Sequence, residues 1–186
     1  MITPWGELAV SDAHVHFFSH SFFATLAPAL PPEEIGQRLG WTMPPLDPAE
    51  LAVDWARELD RHSVAQAALI ASIPGDEAAV AAAVRAAPGR FFGYFMLNPL
   101  APGAVDRARS ALDAGLRGIC LFPAMHRYSI GDPCLRPILD LAPAVVFVHC
   151  GVLTVGVRRK LGLPSPFDMR YSNPIDLHPV ALNYPH

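Results

Sequence analysis

Four apolar runs, at 64–72, 91–97, 117–122 and 144–148, recur at roughly 28-residue spacing with a helix-like segment between each pair. Runs this uniformly apolar need cover on both faces, which places them in a parallel sheet with helices outside. The helix signals agree. Asp47-Pro48 supplies an N-cap and first helical residue for a helix to about His62, 76–87 is Ala-rich and closed by Pro88-Gly89, 104–114 stops at Gly115, and Asp132-Pro133 opens a helix to about Leu141. One further strand, 9–18, precedes them all. The order carries no sign of an antiparallel hairpin, so a (β/α) barrel or a doubly wound sheet remains. A doubly wound nucleotide binder needs a Gly-rich turn after its first strand, and that position holds His16-Phe17-Phe18. The expected fold class is therefore α/β, a TIM-like (β/α)8 barrel of which about the first five βα units are present.

In a barrel the carboxyl ends of the strands converge on one mouth, where polar residues are candidates for chemistry. The first strand ends in Asp12-Ala13-His14-Val15-His16. Strict alternation would put Asp12, His14 and His16 on one side and Val15 and Phe17 on the other, with both imidazoles able to bend toward one ion. The fifth strand ends in His149. Strands one and five face each other across an eight-stranded barrel, so a third imidazole can reach an ion held by the first two. Three nitrogens and an exchangeable water describe an open, catalytic metal site.

These features resemble the amidohydrolase superfamily, specifically the amidohydrolase-related branch that includes aminocarboxymuconate semialdehyde decarboxylase-like enzymes. The resemblance rests on Asp12-Ala13-His14-Val15-His16, on the apolar strand ending His149-Cys150-Gly151, and on Gly118-Ile119-Cys120-Leu121-Phe122-Pro123. It implies that His14, His16 and His149 are metal ligands. It also implies a histidine ending strand six and an aspartate ending strand eight, the latter a ligand and proton shuttle, and neither position exists here. Where some members carry a bridging lysine on strand four, this chain offers Cys120, so one divalent ion, zinc or else manganese, is expected. A barrel usually takes about 250 residues, and three more units would bring this chain to about 270. Residues 1–186 are accordingly read as the N-terminal two-thirds of one barrel domain, with the catalytic carboxylate beyond residue 186 and unpaired edges on strands one and five.

Other candidates sit around the same mouth. Residues 19–47 form a long insertion rich in proline and aromatics, read as an ordered lid with a short helix near 33–39. Phe17 and Trp41 are assigned to an apolar wall over the metal, and His126 and Arg127 to substrate binding, Arg127 through a two-pronged hydrogen bond to a carboxylate. The charged loop at 152–172 is read mainly as solvated, and His20, His62 and His178 are left out of the site.

A formal net charge of −3 and the lack of a basic stripe argue against nucleic acid or an anionic membrane as partner. Three cysteines without Cys-x-x-Cys spacing, and no apolar leader, point to a reducing cytoplasm. The expected partner is a small-molecule substrate, with a homo-oligomer possible. Three functions follow: hydrolysis of a small amide, ester or lactone through a metal-activated water; non-oxidative decarboxylation of a small carboxylic acid; or an inactive truncated fragment.

Overall fold

A computed structural model describes residues 2–141, 145–151, 156–165 and 167–185. At its start β1 (Ile2–Thr3) and β2 (Gly6–Glu7) pair antiparallel, a hairpin the apolar pattern did not signal because two-residue strands have no periodicity to read. Thr3 closes its turn by donating its hydroxyl to the Gly6 carbonyl at 2.8 Å and accepting the Trp5 N–H at 3.2 Å.

Five strands then make one parallel sheet: β3 (Val10–His16), β4 (Val64–Ala71), β5 (Phe91–Leu97), β6 (Gly118–Leu121) and β7 (Val145–Val148). Their spatial order is their chain order. A doubly wound sheet reverses direction at a switch point, so this order selects the barrel. Curvature is visible in one contact. His14 on β3 and Phe147 on β7 belong to opposite edges of the sheet, which in a flat sheet would lie about 19 Å apart. Their ring centroids are 4.7 Å apart. The sheet is rolled into a partial barrel with these two side chains meeting inside. The expected start of the fifth strand at Ala144 falls outside the described residues.

Between β3 and β4 the insertion is ordered, and it holds one helix more than the sequence suggested. Ser19 caps α1 (His20–Leu26) by accepting the Phe22 N–H, and α2 (Pro32–Leu39) follows. Phe22, Phe23, Ile35 and Leu39 bury themselves with Leu161 in a small core of their own. The buried Asp76 ties this insertion to the loop after β4, taking the Ser19 hydroxyl on Oδ1 at 2.5 Å and the Ser21 hydroxyl on the same oxygen.

Outside the sheet lie α3 (Pro48–Arg61), capped by Asp47 as its sequence indicated, α4 (Glu77–Ala86) and α5 (Ala104–Asp113). A short α6 (Pro123–His126) follows β6 directly. The helix expected from Asp132 is split into a 3-10 turn at Pro133–Leu135 and α7 (Arg136–Leu139), because Pro137 lacks the N–H a continuous helix needs. Later come α8 (Gly156–Lys160) and α9 (His178–Asn183). Among the described residues no helix is long and apolar enough to cross a membrane.

Alternation along the strands divides the apolar side chains between two layers. Leu69, Ala71, Phe95, Leu97, Ile119 and Leu121 face the helices, while Ile70, Met96, Cys120 and Phe122 line the inside. Packing on the helix side is close enough that a Cβ on Gly93 would stand 2.2 Å from Leu116 Cδ2. Phe17 belongs to this outer layer and is fully buried. That corrects its assignment to a substrate wall, since it follows β3 on the face opposite the histidines. Phe17→Ala should therefore act as a core truncation and lower the free energy of unfolding by about 3–5 kcal/mol in urea denaturation. A variant of unchanged stability would return Phe17 to the mouth.

Candidate metal centre

The end of β3 is not a regular strand. Asp12 pairs with Ala67 and Val15 with Leu69, so three steps on β3 answer two on β4. The Asp12 carboxylate accepts the His14 N–H at 3.0 Å, a local turn that holds the bulge. Strict alternation from Asp12 to His14 is thus broken, a correction to the expected shared face of the three residues. His14 and His16 do converge. Their Nε2 atoms are 3.2 Å apart, with the rings at 81°. Two nitrogens bound at about 2.0–2.1 Å to one tetrahedral ion stand about 3.3 Å apart, so this pair fits two corners of such a site.

Each ring is held from behind. His16 Nδ1 lies 2.7 Å from the Ser72 hydroxyl, which donates to the Ile70 carbonyl at 3.1 Å. The His16 ring is parallel to Phe18 at 5.7 Å, and Phe18 in turn to Trp41 at 6.2 Å, so Trp41 reaches the pair through an aromatic ladder. His149 follows β7 and continues its ladder, donating its N–H to the Leu121 carbonyl at 2.8 Å. Its ring centroid lies 5.9 Å from that of His14 and stacks on Phe122 at 5.0 Å. Among the described residues no group of three or more His, Cys, Asp or Glu side chains is gathered closely enough to hold an ion. The arrangement is two nitrogens face to face with a third imidazole beside them, laid on Phe122.

Burial sets the charge of these rings. It pushes His16 down to about 4, with the neighbouring His14 and His149 adding to the effect. Burial likewise lowers His14, against the opposing pull of Asp12, and lowers His149, with His14 contributing. All three are neutral at pH 7, the form that offers a lone pair to a cation. Cys120 lies buried in the inner layer and its thiol is pushed up to about 12, so it offers no thiolate at neutral pH.

Ser72 was missed by sequence reasoning. A usable signal existed, because it is the first polar residue after a buried strand, at the end where barrel chemistry collects. The remaining candidates stand after β6. Arg127 caps α6 in the left-handed region at φ 58°, which for a residue with a side chain costs on the order of 1 kcal/mol, and its side chain is exposed. His20 opens α1, His62 pairs with Glu58 at 3.0 Å and His178 opens α9, so none of them joins the pair.

His126 is half-buried, its Nδ1 has no partner among the described residues, and burial pushes its ring down to about 4 from 6.5. Between those values the unfolded chain binds a proton that the folded chain refuses, so stability present above pH 6.5 is lost as pH falls toward 4. His126→Phe should remove this part of the acid sensitivity, on the order of 1–2 kcal/mol after allowance for partial exposure, in unfolding curves compared at neutral and mildly acid pH. Parallel pH profiles for the two proteins would place the ring in solvent.

A family model described as Amidohydrolase matches residues 11–186. No curated protein matches the chain. Among solved structures it is similar to the crystal structure of a probable 2-pyrone-4,6-dicarboxylic acid hydrolase from Acinetobacter baumannii with citric acid bound, at a TM-score of 0.51 and 16% identity, over 77% of this chain and 50% of that one. The chain thus spans about half the length of that structure, and at this identity the likeness shows a shared fold. Nearly the whole chain meets the family's sequence pattern on a rolled parallel sheet with histidines at its mouth, and it belongs to the amidohydrolase family.

Proposed function

We propose that this chain carries the metal-binding part of a metal-dependent hydrolase acting on a small amide, ester or lactone. The observation that carries this reading is the 3.2 Å approach of two neutral imidazole nitrogens at the mouth of the barrel. Family membership supports the hydrolase class. His14 and His16 would hold one divalent ion, zinc or else manganese, with His149 as the third ligand. Such an ion, when bound, supplies a Lewis acid that brings the pKa of a water toward neutrality and polarises a carbonyl oxygen.

The chain's own residues do the rest. Phe18 and Trp41 keep water from one side of His16. The exposed guanidinium of Arg127, carried at the same mouth by α6, would meet a substrate carboxylate through two parallel hydrogen bonds. Asp12 is committed to the His14 N–H, so its carboxylate positions backbone and is not assigned as proton acceptor. Cys120, Cys134 and Cys150 are all free, which suits a reducing compartment, proposed as the cytoplasm.

Metal content after dialysis against zinc gives the primary test, at about one ion per chain for the wild type and a loss of most of it for His14→Ala. Stoichiometric zinc retained by His14→Ala would refute the site. With zinc bound, hydrolysis of lactones, esters and amides is measured beside carbon dioxide release from aromatic and muconate-like acids. Release of carbon dioxide would move the enzyme to the decarboxylase-like branch, and no turnover of any of them would leave a metal-binding remnant.

A further inference from the structure

The contact behind His16 carries more information than a distance. Ser72 stands just past the end of β4, and its hydroxyl oxygen lies 3.1 Å from the Ile70 carbonyl, a group that can only accept. The same oxygen lies 2.7 Å from His16 Nδ1. The hydroxyl has one hydrogen, so both contacts are hydrogen bonds at once only when that hydrogen goes to the carbonyl and the imidazole supplies the hydrogen from Nδ1. We propose that Ser72 is a positioning residue that fixes His16 as the Nδ1–H tautomer, leaving Nε2 bare and aimed at His14 Nε2.

Three surroundings make this assignment specific. Ile70 also accepts the Phe17 N–H at 3.1 Å, so its carbonyl is pinned by the backbone on one lone pair and receives Ser72 on the other. Phe18, parallel to the His16 ring within 10°, sets the plane of the ring but not which nitrogen carries the hydrogen. Among the described residues Ser72 faces Nδ1 and His14 faces Nε2, and those two neighbours distinguish the nitrogens. A consequence falls on the partner ring: of the two facing Nε2 atoms, 3.2 Å apart, one carries the hydrogen between them in the metal-free chain, and that one is His14. His16 is then the preformed ligand and His14 the one that changes tautomer when an ion enters. The consequence for metal affinity rests on the metal-site reading above; the tautomer assignment does not.

Nitrogen-15 correlation spectra of the metal-free chain, assigned through His16→Gln, read the tautomer directly, and the expected pattern is a protonated Nδ1 and a bare Nε2 on His16. Ser72→Ala should let that ring exchange between tautomers, while Ser72→Thr, which keeps the hydroxyl, should restore the wild-type pattern. Cobalt(II) titration followed by its visible absorption should show affinity falling about 10–100-fold in Ser72→Ala and returning to within about threefold of wild type in Ser72→Thr. A hydrogen found on His16 Nε2 overturns the assignment whether or not metal binds, and so does a Ser72→Ala protein with wild-type spectra; wild-type cobalt affinity in that protein would overturn the consequence for metal affinity. Thermal unfolding of both variants separates this from misfolding, since a global loss of structure would also erase the rescue by threonine. A wild-type chain with the expected tautomer but no cobalt absorption would sink the metal reading alone and leave Ser72 in its role.

Discussion

A parallel sheet cannot leave one face to water as an antiparallel one can, and in this chain that constraint is met by rolling the sheet. Helices α3, α4 and α5 cover the outside, and the inner face is filled by its own side chains as the edges come round toward each other. The contact between His14 and Phe147 is the visible result. Everything at the mouth depends on it, because a residue on the first strand and a residue after the last share one environment only when the sheet is curled. The inner layer of Ile70, Met96, Cys120 and Phe122 is the apolar floor on which the histidines stand.

That floor explains the electrostatics. Imidazoles set over an apolar layer and beside each other resist protonation, and the most enclosed of them, His16, resists it most. Neutral rings this close repel unless a hydrogen or a cation lies between their facing nitrogens. The bulge in β3 contributes as well. By tying the His14 N–H to the Asp12 carboxylate it re-aims the strand just where the two rings must converge.

The loop from Ser72 to Asp76 serves both parts of the protein at once. Its first residue meets the His16 ring and its last accepts the hydroxyls of Ser19 and Ser21 at the start of the insertion. Burial raises the Asp76 carboxyl above its ordinary range, with the two serines pulling the other way. A buried acid is costly at neutral pH, and the hydroxyl donors offset part of that cost. The end of β3 is thereby clamped between its neighbour strand and the insertion, and the small core around Phe22, Phe23 and Ile35 is anchored next to the histidine pair.

Sequence alone determined the alternation of strands and helices, the caps at Asp47 and Asp132, and the parallel character of the sheet, because apolar periodicity and capping residues act within a few positions along the chain. It also singled out His14, His16 and His149 by residue type and by their places at strand ends. Hidden from it were the terminal hairpin, α1 and α6, which are too short to show a period. Tertiary structure decided the rest: that Phe17 packs outward into the core, that Ser72 and Asp76 matter to segments more than 50 positions away, and that His149 lies on Phe122 beside the pair. Those outcomes turn on how far the sheet rolls and on which side chains then meet across it, and contacts between distant parts of the chain leave no periodic mark in the order of its residues.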